Sequence, residues 1–158
     1  MTSDAGRTDD GVRYADGLTA ELVWEVGDFL LPRLERAARA HPPGSEEGIT
    51  ASALAEAVAA LVLTLDSLVT RRRPARVRVH AGMPPAPVPT DEERRTREKE
   101  RLERIRRDWN HLCDLAGHWR SVPGYPGSHW RGIDFRDTGH EEWYAERAGH
   151  VAGPPVRG

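Results

Sequence analysis

Three stretches of the chain repeat apolar residues at spacings of three and four, which is the pattern of amphipathic helices. They are residues 18–41, residues 49–73 and the second half of residues 91–118. The middle stretch has a heptad-like seam backed by further valines, so we expect a strongly apolar helix there. The residues of this seam are Leu54, Val58, Leu61, Leu65 and Leu68.

The first two helices are joined by a short loop, HPPGSEEG at residues 41–48, which predicts an antiparallel helical hairpin. Pro32 lies inside the first helical pattern, where it would remove a hydrogen bond and clash with the preceding turn. We therefore predict a kink or break between Gly27 and Asp28, with Asp28 capping a second segment. Thr50 is the predicted N-cap of the second helix.

A capping box of Thr90 and Glu93 predicts the start of a third helix, which continues to about residue 118. Residues 91–101 carry no large apolar side chain, and acid-before-base pairs at i,i+4 favour a solvated arm. The second half has an apolar stripe and is expected to pack against the rest of the protein. The stripe comprises Leu102, Ile105, Trp109, Leu112, Ala116 and Trp119.

The chain after this helix predicts an aromatic loop and a short last helix. Gly117 is expected to end the long helix, and Pro and Gly are frequent in the loop that follows. Thr138 and Glu141 form a second capping box, which predicts a helix that stops at Gly149.

The tripeptide HWR occurs twice, at residues 118–120 and 129–131. Trp119 completes the helical stripe and is therefore expected in the core. Trp130 lies outside that period, and two interpretations stay open for it: an exposed partner contact, or packing beside Trp143.

These elements predict an all-α fold in one small protein. Its parts are a kinked antiparallel αα-hairpin, a Pro-rich linker, a long charged-to-amphipathic helix, an aromatic loop and a short C-terminal helix. A weak strand pattern occurs at residues 75–82. The predicted division is a disordered tail at 1–17, the hairpin at 18–73, a basic and Pro-rich linker at 74–90, the long helix with its aromatic cap at 91–149, and a tail at 150–158.

The composition limits the class of protein but does not indicate an activity. The apolar fraction of 38% is low and the charged fraction of 30% is high, so part of the chain is expected to stay unpacked. Lys99 is the single lysine among many arginines, which is typical of a high-GC bacterium and weakens arguments from arginine content. No secretory signal is recognisable, one cysteine allows no intrachain disulfide, and the apolar run at 57–65 is too short for a bilayer. These features predict a cytoplasmic protein with no membrane partner.

One segment is strongly basic although the formal net charge is −2. Residues 71–89 contain five arginines and no acid, which makes them a candidate contact for phosphates or an acidic partner. The simpler interpretation is that cations are favoured at a helix C-terminus. The arginines are Arg71, Arg72, Arg73, Arg76 and Arg78.

Metal and nucleophile chemistry have weaker support. His111, Asp114 and His118 would share one helix face and are a candidate start of a transition-metal site, although surface histidines explain them as well. Cys113 lies beside the apolar stripe, so a buried inert thiol is expected. No catalytic motif or cofactor fingerprint occurs, so no catalytic residue and no cofactor are predicted.

The aromatic loop is the predicted partner contact, because aromatic and arginine side chains are enriched at binding hot spots. Its residues are Tyr125, Trp130, Arg131 and Phe135. The leading functional hypothesis is a non-enzymatic interaction or regulatory protein that binds a protein partner or self-associates. The alternatives are a nucleic-acid-associated accessory protein that uses residues 71–78, and a metal-dependent enzyme that uses the late His, Asp and Glu residues.

Overall fold

The computed structural model describes residues 7–8, 11–71, 82 and 84–151. These residues are mostly helical, which confirms the all-α prediction. The α-helices are α1 (Ala20–Ala40), α2 (Glu46–Thr70), α3 (Asp91–Ala116) and α4 (Thr138–Val151). The described strands are short and antiparallel, β1 (Arg7–Thr8) with β2 (Gly11–Val12).

Helices α1 and α2 pack side by side and run in opposite directions. The indole Nε1 of Trp24 donates to Asp66 Oδ1 at 3.2 Å, and Gly27 lies against Val62. A Cβ atom at Gly27 would approach Val62 Cγ1 to 3.1 Å, so the missing side chain allows the two helices to meet closely. The two helices are therefore antiparallel, because later residues of α1 contact earlier residues of α2.

The predicted break in the first helix is wrong, because α1 continues through Gly27, Asp28 and Pro32. The helix begins at Thr19, whose side chain accepts from the backbone N–H of Leu22 at 3.3 Å. Asp28 and Pro32 are both exposed, so water can serve the carbonyl that proline leaves without a donor. The buried apolar face of α1 holds the helix together across this point.

Helix α2 begins earlier than expected. Its N-cap is Ser45, whose hydroxyl accepts from the Gly48 N–H at 3.2 Å, and Thr50 lies inside the helix. The fully buried stripe is Val58, Val62 and Leu65, whereas Leu54 of the predicted seam is 38% exposed. The buried face of α2 is shifted from the predicted seam toward Val62, because Val62 packs against Gly27 of α1.

By length and composition alone, α2 is long and apolar enough to cross a membrane. The apolar run at 57–65 is itself too short for a bilayer, but it lies within this longer helix. Only 22% of the most apolar stretch of this helix is buried inside the fold. Much of its apolar surface is left uncovered by the rest of the chain.

Helix α3 follows its prediction closely. Glu93 N–H donates to Thr90 Oγ1 at 3.2 Å, and the Glu93 carboxylate accepts from Thr90 N–H at 2.8 Å, which completes the capping box. The apolar stripe from Leu102 to Ala116 is buried, while Trp119 is only half-buried in a 3₁₀ turn beyond the helix end. Ion pairs on α3 form mainly at i,i+3, as in Glu103 with Arg106, rather than at i,i+4.

The predicted N-terminal tail is wrong for residues 11–17, which are ordered and partly buried. Val12 and Ala15 belong to the core, and Tyr14 forms a parallel bridge with Phe135. The Ala15 N–H donates to the Phe135 carbonyl at 3.0 Å. This segment supplies apolar cover at the end of the helical core, which is why it does not remain free. The other residues of the predicted tail lie outside the described residues, apart from β1.

Helix α4 starts and ends differently from the prediction. Asp137 is the capping side chain, since its Oδ1 accepts from the His140 N–H at 2.8 Å. Glu141 does not complete a capping box, because its carboxylate is bound by Arg13 and Tyr14. The helix continues through Gly149 to Val151, and residues 152–158 of the predicted tail lie outside the described residues.

The linker is only partly described. Residues 84–89 contain neither helix nor strand and lead into the α3 cap. The weak strand pattern at 75–82 lies outside the described residues except for Gly82, and the division into domains stays a prediction.

Candidate functional site

The aromatic loop encloses a cavity of about 540 Å³ with the C-terminal half of α3. Its volume is in the range of small-molecule sites. The side chains that line it are Cys113, Asp114, Arg120, Tyr125, Trp130 and Arg131. Three of the four predicted partner-contact residues, Tyr125, Trp130 and Arg131, therefore lie together. Arg120, from the first HWR copy, joins them.

Trp130 is buried rather than exposed, with 5% of its surface accessible. Its ring centroid lies 5.0 Å from Phe29 and 5.2 Å from Tyr125, in edge-to-face arrangements. Neither interpretation drawn from the sequence describes this position, because the partners of Trp130 are on α1 and in its own loop. Trp143 is 46% exposed and takes no part in this contact.

The indole Nε1 of Trp130 is buried and has no hydrogen-bond partner among the described residues. Buried indole N–H groups usually find an acceptor. The atom is closed off from solvent, so the cavity beside Trp130 does not reach it without a movement of the loop. The loop cavity therefore reflects how the loop packs on α3, and it is not the site that we propose for ligand binding.

Side chains of α3 hold the chain after Trp130 in place. Trp109 Nε1 donates to the Arg131 carbonyl at 3.0 Å, and Cys113 Sγ lies 3.7 Å from the same oxygen. Asn110 pairs with the Ile133 backbone in both directions. These contacts explain why the loop is ordered although it contains no regular secondary structure longer than one turn.

Cys113 is buried, as predicted, and burial raises the pKa of its thiol to about 12. The neighbouring Asp114 carboxylate contributes to the same shift. A thiol with this pKa carries almost no thiolate near neutral pH, so it is a poor nucleophile.

Phe135, the fourth predicted contact residue, belongs to a different cluster. Its ring lies 6.5 Å from Tyr14, 5.9 Å from His140 and 6.1 Å from Tyr144. Phe135 therefore joins the N-terminal segment to α4 and is separate from the loop cavity. Partner binding by any of these four residues stays a prediction.

A second and larger concavity lies between α3 and the start of α4, and we call it the α3–α4 groove. Its volume is about 800 Å³. Lys99, Glu103 and Arg106 line it from α3, and Trp143 and Tyr144 line it from α4. Trp143 is 46% exposed and Tyr144 is 52% exposed, so two large aromatic side chains are open to solvent at one site.

Charge in this groove is unevenly compensated. Arg106 and Glu103 form a bidentate pair with N–O distances of 2.6 and 3.2 Å. This pairing raises the pKa of Arg106 and lowers that of Glu103. Arg136 Nε is buried without a hydrogen bond among the described residues and lies 3.9 Å from Glu103. Lys99 is exposed and has no ion pair within the described part of the chain.

His140 also lies in the groove, and its Nδ1 accepts from the Arg136 backbone N–H at 3.2 Å. Burial is the main cause that lowers the pKa of His140, and the nearby Arg136 guanidinium lowers it further. The ring is therefore neutral near pH 7, with Nδ1 as the acceptor and Nε2–H as the free donor.

The predicted metal residues are not brought together with a third ligand in the part of the chain that the structure describes. His111, Asp114 and His118 are all exposed, and the helix ends at Ala116, before His118. No group of three metal-ligating side chains occurs among the residues that the structure describes, and metal binding stays a prediction.

Arg71 is exposed and pairs with Glu98 at 2.9 Å. The other arginines of the basic segment, Arg72, Arg73, Arg76 and Arg78, lie outside the described residues.

The outward side of α2 is a third surface of interest, and we call it the outer face of α2. Ile49 is 60% exposed and Leu63 is 55% exposed. Alanines at helical spacing lie exposed between them, and Glu56 is the single charged residue from position 48 to position 65. The exposed residues of this face are Ile49, Ala53, Glu56, Ala57, Ala60, Leu63 and Ser67.

Sequence reasoning missed both the outer face and the groove. The signal for the outer face was present, since α2 is apolar at nearly every helical position and one partner helix cannot cover all of it. No local signal marks the groove, because Lys99 and Trp143 are far apart in the sequence and line the same groove only in the folded chain.

The comparisons with known proteins add no further constraint: no family model, no curated protein and no solved structure matches this chain.

Proposed function

We propose that this protein is a non-enzymatic helical interaction protein that associates with a second copy of itself through the outer face of α2. The observation that carries the proposal is the apolar surface of α2 that the rest of the chain does not cover. Contiguous exposed apolar surface on a folded protein is typical of interaction sites.

The shape of this face favours a helix as its partner. Ala53, Ala57 and Ala60 are small and follow one another at helical spacing, so another helix can approach the backbone closely. The helix is about 37 Å long, from 25 residues at 1.5 Å each. Ile49 and Leu63 flank the alanines and can pack beside a facing helix.

The charges at the ends of α2 favour a second copy in antiparallel orientation. Glu46 and Glu47 begin the helix, and Arg71 follows its last residue. In a twofold-symmetric dimer whose α2 helices cross antiparallel near residues 58 and 59, each acidic end meets the basic end of the other copy. Such a dimer is self-complementary, because one surface supplies both halves of the contact.

The test is the mass of the full chain by light scattering over a range of concentrations. We expect two chains per particle, and Ala60→Arg should give monomers because it places a long side chain among the small residues on which the two helices meet. Ala37→Arg, an exposed alanine on α1, is the matched control and should leave the dimer intact. A wild-type monomer at all concentrations, or an Ala60→Arg dimer, would overturn the proposal.

Orientation is tested by cysteine cross-linking. In the antiparallel dimer Ala53 of one copy faces Thr64 of the other. A mixture of Ala53→Cys and Thr64→Cys proteins should form the heterodisulfide, and neither variant alone should cross-link efficiently. Efficient self-cross-linking of Ala53→Cys would indicate a parallel arrangement and contradict the charge argument.

Flotation with neutral phosphatidylcholine vesicles separates this proposal from insertion of α2 into lipid. The protein should remain with the aqueous fraction. Flotation of the wild type, lost in Ala60→Arg but kept in Ala37→Arg, would mean that lipid covers the outer face, and self-association would be overturned.

A further inference from the structure

We infer that the α3–α4 groove is a binding site for a nucleotide, whose base stacks on Trp143 and Tyr144 and whose phosphate is held by Lys99 and Arg136. This site is separate from the outer face of α2 and does not depend on self-association.

The aromatic side chains supply the first argument. Among the described residues that are exposed and large, Trp143 and Tyr144 are the aromatic members, and both line this groove. Their ring centroids are 5.0 Å apart and nearly perpendicular, at 88°. Arg147 Cζ lies 4.6 Å from the Trp143 centroid, and the His140 ring is stacked 6.4 Å from it. A planar base would therefore stack on the part of the two rings that stays open to solvent.

The uncompensated cations supply the second argument. Glu103 is engaged by Arg106, and Asp137 caps α4, so these carboxylates already have partners. Lys99 has none within the described residues, and the ion pair of Arg136 is long at 3.9 Å. Arg136 Nε is closed off from solvent, but a quarter of the Arg136 side chain is accessible, so a phosphate would contact that exposed part together with Lys99. Lysine and arginine are the usual phosphate ligands.

Size and polarity agree with a ligand of this class. The groove of about 800 Å³ is within the range of small-molecule sites. The Nε2–H of neutral His140 is a further hydrogen-bond donor on a residue that lines the groove. A nucleotide combines a planar ring with an anionic group, whereas a simple anion would leave the two aromatic rings exposed.

The experiment titrates the full chain with AMP and follows heat and tryptophan fluorescence. Adenosine and inorganic phosphate are the two partial probes, since each carries half of the recognised chemistry. We expect AMP to bind at least about tenfold more tightly than either, because each half of the ligand contributes one set of contacts. Equal affinity for inorganic phosphate and AMP would reveal an ion site only and overturn the inference.

Variants localise the binding. Lys99→Ala and Trp143→Ala should each weaken AMP binding about tenfold, while Trp143→Tyr should retain it because the stacking surface remains. Arg95→Ala, an exposed cation on the solvated half of α3, is the matched control and should change nothing. All three positions are exposed, so these four variants should fold. AMP binding that is absent, or that survives both alanine variants unchanged, would overturn the inference.

A short oligoadenylate distinguishes the two sources of the same chemistry. If the oligoadenylate competes with AMP and its affinity per site is close to that of AMP, the groove binds the free nucleotide. If it binds much more tightly and with a steeper salt dependence, the groove takes the nucleotide from a single strand. Both results require loss of binding in Lys99→Ala.

Discussion

The side-chain amide of Asn110 and the backbone of Ile133 form a closed pair. Asn110 Oδ1 accepts from the Ile133 N–H at 2.7 Å, and Asn110 Nδ2 donates to the Ile133 carbonyl at 3.1 Å. The side-chain amide of Asn110 therefore pairs with the backbone of a buried segment in the way that a neighbouring β-strand would. Asn110 is the only asparagine in the sequence. A Cβ atom at Gly132 would meet its oxygen at 3.3 Å, so the neighbouring glycine leaves room for the pair.

Replacing Asn110 by Ala should lower the free energy of unfolding by roughly 2 kcal/mol or more. The reason is that the N–H and C=O of buried Ile133 would both lose their partner. Urea denaturation measures the loss. His111→Ala changes the exposed neighbour on the same helix and is the control. Similar stability of the two variants would show that water replaces the amide at no cost.

Gly27→Leu should destabilise the protein by about 1–3 kcal/mol or more, because the new side chain would push against Val62 at the closest approach of α1 and α2. Thermal unfolding measures it. Gly149→Leu, at an open position on α4, introduces the same side chain where nothing lies within 4 Å. A neutral effect of Gly27→Leu would mean that the two helices can separate without loss of packing.

Cys113 should resist thiol reagents in the folded protein and react rapidly in denaturant, since its pKa of about 12 suppresses the thiolate.

The raised pKa of Cys113 also makes the stability of the fold depend on pH. The unfolded thiol loses its proton above about pH 9 while the folded thiol keeps it, so stability falls as pH rises between these two values. Cys113→Ala should flatten that part of the stability profile, and an unchanged slope would assign it to other groups.

Glu141→Gln should loosen the N-terminal segment from α4, because Arg13 and Tyr14 both bind this carboxylate. Hydrogen exchange at the Ala15 amide should become faster. The hydrogen bond to Glu141 is the main cause that raises the pKa of Tyr14, so tyrosinate formation should move to lower pH in the variant. Glu142→Gln changes the exposed neighbour and should alter neither measurement.

Features that depend on local contacts were predictable from the sequence. The capping box of α3 involves residues three apart, and the stripe from Leu102 to Ala116 faces the core at the spacing that the sequence indicates. The N-cap of α2 was placed five residues late, because Ser45 and Thr50 are both residue types that cap helices and the helix begins at the earlier one.

Features that depend on distant contacts were not predictable. Trp130 is buried because Phe29, about a hundred residues earlier, supplies an edge-to-face neighbour. Residues 11–17 have the composition of a tail, and their order comes from Phe135 and Glu141. No period or motif in either segment carries that information, since the partner is defined only by the assembled helices.

The pairing of the N-terminal segment with the far end of the chain has a consequence during synthesis. Helices α1 and α2 are adjacent in sequence, so they can associate once about the first half of the chain has left the ribosome. Tyr14 and Ala15 are translated before both helices, yet Glu141, the partner of Tyr14, follows it by 127 residues, and Phe135 also comes after both helices. Closing such a long loop is slow and comes late in folding. Residues 11–17 are therefore expected to dock after α1 and α2 have associated, and until then Val12 and Ala15 stay exposed on the nascent chain.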